Sequence, residues 1–177
     1  MAKTQLVISV LSKDRPGLVQ DITAIIGETG CNLEDSRAAV LGGGFAIILL
    51  ATGNWSAVAK LETALNKLAG EQDLTLSMRR TELTPVSAPM LPYMVDVVSL
   101  DHPGIVNQLA TFLSQRGINI LNLTTHAYSA AHTATPMFAV HMDIEVPAQL
   151  HVAALREDFL DLCDDLNLDG VIEPAKA

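Results

Sequence analysis

Cysteine, positive charge and long hydrophobic runs are all scarce in this 177-residue chain. Its two cysteines, Cys31 and Cys163, form no CxxC pair, which excludes a disulfide framework and a cysteine-based zinc site and predicts buried thiols in a reducing cytoplasm. The longest apolar run, Phe45–Ala51, is far shorter than the ~20 residues that span a membrane. No basic leader with a cleavage site precedes the first strand pattern, so export is not expected. We therefore expect a cytoplasmic protein without membrane contact.

The charge balance is acidic and uneven. Eleven Lys and Arg against 20 Asp and Glu give a net charge of -9, whereas direct nucleic-acid binding usually requires a basic stripe. Residues 143–173 hold nine acidic groups and one basic group, net -8, which leaves -1 for the remainder. One side of the last predicted helix carries Glu157, Asp158, Asp161, Asp164 and Asp165. A solvated helix face and a docking surface for a basic protein partner both agree with this pattern.

The chain contains an internal repeat at an offset of 87 residues. Val10–Val19 aligns with Val97–Val106, and Gly30–Leu33 aligns with Gly117–Ile120. The identities fall on Asp, Pro, Gly and Asn, whereas the positions between them keep apolar character without identity. This pattern indicates a duplicated fold whose two copies retain the same turn chemistry.

A proline-rich segment separates the copies. Residues 81–92 contain Pro85, Pro89 and Pro92, a density that neither a helix nor a central strand tolerates. We interpret it as a stiff, extended linker. The predicted organisation is a first domain at 1–80, a linker at 81–92 and a second domain at 93–177, each domain large enough to fold alone.

Each copy reads as strand, helix, strand, strand, helix, strand. The first helix shows the apolar spacing of one helical face between Leu18 and Ile26, with Pro16 expected in its first turn and Gly30 just past its end. Two strands should form a hairpin across Gly42–Gly44. In the second copy the first strand is predicted at Tyr93–Leu100. The expected fold class is α+β, with two ferredoxin-like βαββαβ domains in tandem and antiparallel sheets that carry helices on one face.

An Asp-x-Pro-Gly motif stands where the first strand of each copy runs into the first helix, at Asp14–Gly17 and at Asp101–Gly104. The unpaired N–H groups of a first helical turn carry the positive end of the helix dipole and favour a carboxylate. The Asp side chain suits an ammonium group, so the motif can receive a zwitterion, a free amino acid. A simpler alternative is that Asp only caps the helix and Gly only forms a turn. Retention of the motif in both copies favours the binding site.

The position of the Asn that both copies share, Asn32 and Asn119, predicts composite sites. Asp14 is predicted at the end of strand one and Asn32 at the start of strand two, so a helix of ~14 residues, ~21 Å long, separates them. One small amino acid cannot touch both. We expect two domains to pair about a pseudo-twofold axis, within one chain or between chains, so that Asp14 meets Asn119 and Asp101 meets Asn32.

The candidate ligand-binding residues follow from these two arguments. They are Asp14, Arg15, Pro16, Gly17, Leu18 and Asn32 in the first copy, and Asp101, His102, Pro103, Gly104, Ile105 and Asn119 in the second. Arg15 and His102 occupy the same motif position but differ in chemistry. The two sites are therefore expected to differ in affinity.

Metal sites and catalytic constellations find no support in the sequence. All five histidines lie in the second copy, and none are spaced i, i+4 on one helix: His102, His126, His132, His141 and His151. No nucleophile motif, zinc-protease motif or dinucleotide fingerprint is present. We therefore expect no metal, no cofactor and no enzymatic activity.

The duplicated unit resembles the ACT domain, a βαββαβ module that commonly binds amino acids between paired domains. Asp14–Gly17, Gly30–Arg37, Gly53–Trp55 and Leu162-Cys163 resemble, more specifically, the glycine cleavage system transcriptional repressor family of tandem ACT chains. This resemblance implies a small amino acid such as glycine as ligand, and repression of the glycine cleavage operon through a DNA-binding activator protein rather than through DNA. The acidic balance agrees with that division of labour.

Two questions stay open at this level. The same sensing module would serve a free-standing regulatory subunit that confers amino-acid feedback on a metabolic enzyme. A homodimer also agrees with the composite sites, because the domains that pair could belong to two chains.

Overall fold

The computed structural model describes residues 3–82, 89–131 and 133–175, and the chain divides into two compact units, Met1–Pro85 and Val86–Ala177. The first unit contains β1 (Thr4–Lys13), α1 (Leu18–Glu28), β2 (Asn32–Leu41), β3 (Gly44–Gly53), α2 (Trp55–Gln72) and β4 (Thr75–Thr81). The second unit contains β5 (Met90–Leu100), α3 (Ile105–Ser114), β6 (Asn119–Ser129), β7 (Pro136–Pro147), α4 (Val152–Leu166) and β8 (Asp169–Pro174). In the described part of the chain, no helix combines the length and the apolar character that crossing a membrane requires.

Each unit forms one four-stranded antiparallel sheet. The strand order is β2-β3-β1-β4 in the first unit and β6-β7-β5-β8 in the second, which is the same order. In both units the first strand lies in the middle of the sheet and pairs with the third and fourth strands. The predicted α+β class and the tandem ferredoxin-like βαββαβ arrangement are confirmed. The domain limits at 80 and 93 stay a prediction.

Strand alternation buries one face of each sheet under the two helices of the unit. In the first unit Leu6, Ile8 and Val10 of β1 are buried with the apolar faces of α1 and α2. The core of the second unit is built in the same way and is richer in aromatic residues. Phe112 of α3 and Phe159 of α4 meet edge to face, with ring centroids 5.7 Å apart.

The glycine-rich hairpin turn is confirmed, with one adjustment. β2 ends at Leu41 and β3 already begins at Gly44, so the turn itself consists of Gly42 and Gly43. Both adopt positive φ, 59° and 79°. Two consecutive positive φ values are what a two-residue hairpin turn needs, and glycine adopts them without steric strain.

The proline-rich segment overlaps the second sheet, because Pro92 lies inside strand β5. This strand begins at Met90, three residues before the predicted Tyr93. The carbonyl of Pro92 accepts a hydrogen bond from the N–H of Ala175, so the backbone nitrogen of Pro92 points toward β8 where that ladder ends. The missing N–H of Pro92 therefore lies beyond the last registered pair with β8, Tyr93 with Pro174, and removes no hydrogen bond to β7. Pro85 lies outside the described residues.

Candidate functional site

The Asp-x-Pro-Gly motif of each unit forms a loop that ends in a left-handed glycine. Gly17 precedes α1 with φ 87° and Gly104 precedes α3 with φ 101°. The first helix therefore begins at Leu18, and Pro16 lies in the turn before it rather than in its first helical turn. A side chain at either glycine would be strained, so the turn itself requires glycine.

The two motif aspartates leave their helices uncapped. Among the described residues, no side chain makes a capping hydrogen bond to the first turn of α1 or α3. Asp14 and Asp101 are exposed, and their backbone N–H groups are held by the neighbouring hairpins, through the carbonyls of Gly43 (3.2 Å) and Pro136 (3.1 Å). The capping alternative is therefore wrong. Both carboxylates are exposed, and among the described residues neither hydrogen-bonds to the start of its helix.

In the second unit the motif lines a concave site of about 520 Å³, within the usual size range of small-molecule pockets. Residues 101–107 form its wall and Phe138 of β7 joins them. A methyl group built at Gly104 would meet no atom of the described residues within 4 Å. His102 lies in the same wall, with its Nδ1 3.3 Å from the carbonyl of Pro103. The backbone at Gly104 is thus open to a ligand.

All five predicted motif residues of the second unit line this concavity, and three further residues were missed: Val106, Asn107 and Phe138. The first two follow the motif directly on α3. Phe138 pairs with Ser99 of β5, just as Phe45 pairs with Ser12 of β1 in the first unit. The repeated Ser–Phe pair is a sequence signal, but it becomes visible only when the hairpin register is known.

The first unit arranges the same loop differently, because Arg15 folds back over it. The guanidinium donates hydrogen bonds to the carbonyl of Pro16 (3.1 Å), to a carboxylate oxygen of Asp21 (2.6 Å) and to the side-chain carbonyl of Gln72. The hydrogen bond from Arg15 holds the pKa of Asp21 below its usual value. A methyl group built at Gly17 would lie 3.6 Å from Nη1 of Arg15. The guanidinium therefore lies in van der Waals contact with the space beside Gly17, whereas the space beside Gly104 is open among the described residues.

Asn32 and Asn119 occupy equivalent first positions of β2 and β6. Asn32 pairs with Thr52 on β3, whereas Lys13, next to Asp14, pairs with Gly44 at the other end of the same strand. The step from position 44 to position 52 corresponds to ~27 Å of strand. Asp14 and Asn32 of one unit are therefore not brought together. The composite pairing with the Asn of another unit stays a prediction.

Two residues that were not predicted as site residues, Glu34 and Thr52, form hydrogen bonds beside Asn32 at the start of β2. Thr52 is buried and donates a hydrogen bond of 2.7 Å to the carboxylate of Glu34, and the side-chain amide of Asn32 donates to the same oxygen at 3.4 Å. The hydrogen bond from Thr52 lowers the pKa of Glu34, so this carboxylate stays charged. The start of β2 is thus an ordered polar cluster.

The acidic side of α4 is exposed, but one of its members already has a partner. Asp158 accepts a hydrogen bond of 2.7 Å from Arg116, whose guanidinium lies 3.8 Å from the ring centroid of Phe112. Glu157, Asp161, Asp164 and Asp165 are exposed as well. The docking surface stays a prediction. Within it, the charge of Asp158 would be partly neutralised by Arg116.

The histidines serve separate local roles. His151 caps α4 by accepting from the N–H of Ala154 at 3.3 Å, and His141 lies 2.7 Å from Asp96 on the outer face of the second sheet. His126 stacks on Tyr128, with ring centroids 5.9 Å apart. His132 lies outside the described residues. Within the described ranges, no group of three or more His, Cys, Asp or Glu side chains is placed to hold a metal ion.

Comparisons with known proteins agree with this architecture. The profile of the ACT domain family matches residues 4–79. The glycine cleavage system transcriptional repressor of Escherichia coli (strain K12) is 32% identical over 167 residues, which cover 94% of this chain and 88% of that protein. A crystal structure provisionally assigned as a glycine cleavage system transcriptional repressor has 28% identity and a TM-score of 0.73, with both chains covered completely. An unknown protein from Galdieria sulphuraria has 27% identity and a TM-score of 0.81, with 99% of this chain and 100% of that chain covered.

The repeated Asp-x-Pro-Gly loops, the two identically ordered sheets and a relative that matches along nearly the whole chain lead to one assignment. The chain belongs to the glycine cleavage system transcriptional repressor family of ACT-domain proteins.

Proposed function

We propose that the chain is an amino-acid-sensing transcriptional regulator of the glycine cleavage repressor type, which acts through a protein partner. The observation that carries the proposal is the open concavity at Asp101–Ile105 in the second unit. It combines an exposed carboxylate, a glycine that no atom of the described residues covers and the start of a helix. Regulation by a small amino acid such as glycine agrees with the name of the Escherichia coli relative.

The chemistry of the concavity suits a zwitterion. The carboxylate of Asp101 attracts an ammonium group, and the first N–H groups of α3, at Gly104 and Ile105, attract a carboxylate. Phe138 supplies an apolar wall. A ligand with both charges and a small side chain uses all of these groups at once.

Partner-mediated action follows from charge. The net charge of -9 opposes the phosphate backbone of DNA, whose neutralisation by Lys and Arg supplies most non-specific affinity. The exposed acidic side of α4 attracts a basic surface instead, such as that of a DNA-binding activator protein. Such a regulator acts in the cytoplasm, with which the buried free thiols of Cys31 and Cys163 agree.

Isothermal titration calorimetry with a panel of free amino acids, beginning with glycine, tests the sensing part. Asp101→Asn should weaken binding by about tenfold, the effect expected when a charge-assisted hydrogen bond is lost. Asp73→Asn is the matched control, because it changes an exposed Asp at the left-handed C-cap of α2, where Asn is equally well accepted. Absence of binding by every amino acid in the panel would contradict the proposal.

A pull-down with the intact chain tests the partner. Recovery of a DNA-binding activator that is lost on Glu157→Gln, Asp161→Asn and Asp165→Asn supports docking on α4, and this triple variant leaves the Asp158–Arg116 pair intact. Recovery of a metabolic enzyme would favour the regulatory-subunit alternative. Salt-sensitive, sequence-specific DNA binding by the purified chain alone would refute partner-mediated action.

A further inference from the structure

Three side chains meet at the motif loop of the first unit, and all three have different counterparts in the second unit. Arg15 contacts Asp21, three residues into α1, and Gln72, the last residue of α2. The equivalent residues in the second unit are His102, then Gln108 on α3, and Leu166, the last residue of α4. An arginine, a carboxylate and an amide acceptor are therefore present together in one unit, and a histidine, an amide and an apolar side chain replace them in the other.

We propose that Arg15, Asp21 and Gln72 form a latch that closes the first motif loop to ligands, so that the chain binds its amino acid only at the loop of the second unit. This inference rests on the proposed function, because it assigns that binding to one of two related loops. Arg15 is consequently a specificity-determining residue that acts by exclusion. The affinity for the amino acid should therefore be higher at the loop of the second unit than at the loop of the first.

The contacts explain why the latch stays closed. The guanidinium satisfies acceptors from three segments, the loop at Pro16, helix α1 at Asp21 and helix α2 at Gln72. The bond to Asp21 is charge-assisted, a class that is stronger than neutral hydrogen bonds. The side chains of Arg15 and Asp21 are 40% and 35% exposed, so solvent weakens this pair and the hold on the loop depends on the three acceptors together. A ligand that approaches the backbone of Gly17 has to displace this arrangement.

The second unit cannot form the same latch. An arginine at position 102 would find an amide at Gln108 and an apolar side chain at Leu166, which packs against the core. The methyl position at Gly104 is open among the described residues, whereas that at Gly17 faces the Arg15 guanidinium. A closed loop therefore requires the arginine together with its acceptors, whereas loss of the arginine alone is expected to open it.

Calorimetric stoichiometry with glycine as the first probe, and then with the panel of amino acids, tests the latch. The wild-type chain should bind one ligand per chain, and Arg15→His should bind two. The double variant Asp21→Asn, Gln72→Ala should also bind two, because it removes the charge of one acceptor and the whole of the other while it keeps the arginine. The matched control is Arg79→His, which changes an exposed arginine of β4 and should still bind one.

Two calorimetric results would overturn the proposal. One is a wild-type chain that already binds two ligands per chain. The other is loss of a bound ligand in Arg15→His, which would make Arg15 a receptor for the ligand carboxylate and not a latch.

A second measurement needs no ligand and separates the latch from the proposed function. In NMR spectra of the intact chain, the guanidinium protons of a latched Arg15 should show hindered rotation, and those of Arg79 should not. The Asp21→Asn, Gln72→Ala variant should release Arg15. Free rotation of Arg15 in the wild-type chain overturns the latch whatever the calorimetry gives. If no amino acid binds but Arg15 is hindered, the proposed function fails together with the ligand assignment, and only the hydrogen-bonded arrangement of Arg15 with Asp21 and Gln72 is supported.

Discussion

The outer faces of the two sheets differ far more than their inner faces. In the first unit the outer face is apolar at its centre, where Ser9 pairs with Ile48, and Ile48 is 48% exposed. In the second unit the equivalent rung carries Asp96 and His141, whose side chains form a hydrogen-bonded pair at 2.7 Å. The strand order is nevertheless identical. The fold is therefore specified by the inner alternation, and the outer faces are free to acquire separate roles.

The largest effect should come from the aromatic core of the second unit. Phe159→Ala removes one ring of the edge-to-face pair with Phe112 and should lower the free energy of unfolding of this unit by about 3–5 kcal/mol. Leu65→Ala, at the equivalent position of α2, is the matched change in the first unit and should fall in the range of about 2–5 kcal/mol. Urea denaturation measures both. Equal stability of Phe159→Ala and wild type would contradict the assigned core.

A smaller loss of stability is expected when a methyl group is added at Gly53 or Gly170, because a cysteine Sγ packs against each of these glycines. A methyl group at Gly170 would lie 2.8 Å from Sγ of Cys163 and 3.1 Å from both Phe159 and Val97. Gly170→Ala should therefore destabilise the second unit by about 1–3 kcal/mol through overpacking.

The control for this overpacking is a double variant. Cys163→Ala in the Gly170→Ala background should recover part of the loss, because it removes the nearest atom. In the first unit, Gly53→Ala meets Sγ of Cys31 at 2.8 Å but only Ala57 besides it below 3.4 Å, and it should cost less. A larger loss at Gly53 than at Gly170 would contradict this ordering.

These contacts show which features the sequence could predict. Helix faces, the order of strands and helices along the chain and a glycine hairpin across positions 42–44 depend on local patterns, and they were predicted. The contact of Arg15 with Gln72 and that of Arg116 with Asp158 join residues 57 and 42 positions apart, so they depend on how two helices pack. The place of Pro92 in β5 was not predicted for a related reason, because its tolerance depends on where β8 ends.

The helix caps of the two units offer a further comparison. Asn54 caps α2 by accepting from the N–H of Ala57 at 2.8 Å, and His151 caps α4 through the longer 3.3 Å contact. Asn54→Ala should lower the free energy of unfolding by ~1 kcal/mol. His151→Ala should have a smaller effect, because its hydrogen bond is longer than the usual range. Thermal unfolding of both variants is compared with that of the wild type. A larger loss of stability in His151→Ala than in Asn54→Ala would contradict the expectation that Asn54 is the stronger cap.

The smallest effect concerns pH and the outer face of the second sheet. His141 faces Asp96 at 2.7 Å and Asp143 at 3.4 Å, and the hydrogen bond to Asp96 is the main cause that raises the pKa of His141 above its usual value. The folded state therefore favours protonated His141. The stabilisation is fully present below the ordinary histidine pKa of ~6.5 and is lost as the pH rises through the raised value.

His141→Gln should consequently destabilise the second unit at pH 5.5 and have little effect at pH 8.5. The difference should stay below ~1 kcal/mol, because the pair is solvent-accessible and screened. An NMR titration of the intact chain gives the direct test: Asp96→Asn should lower the pKa of His141 by removing its main partner. The first unit has Ser9 and Ile48 at this rung and offers no such titration. An unchanged pKa of His141 in Asp96→Asn would show that the two side chains lie close together without an energetic interaction. The outer faces would then differ only in the exposed apolar side chain of Ile48 in the first unit.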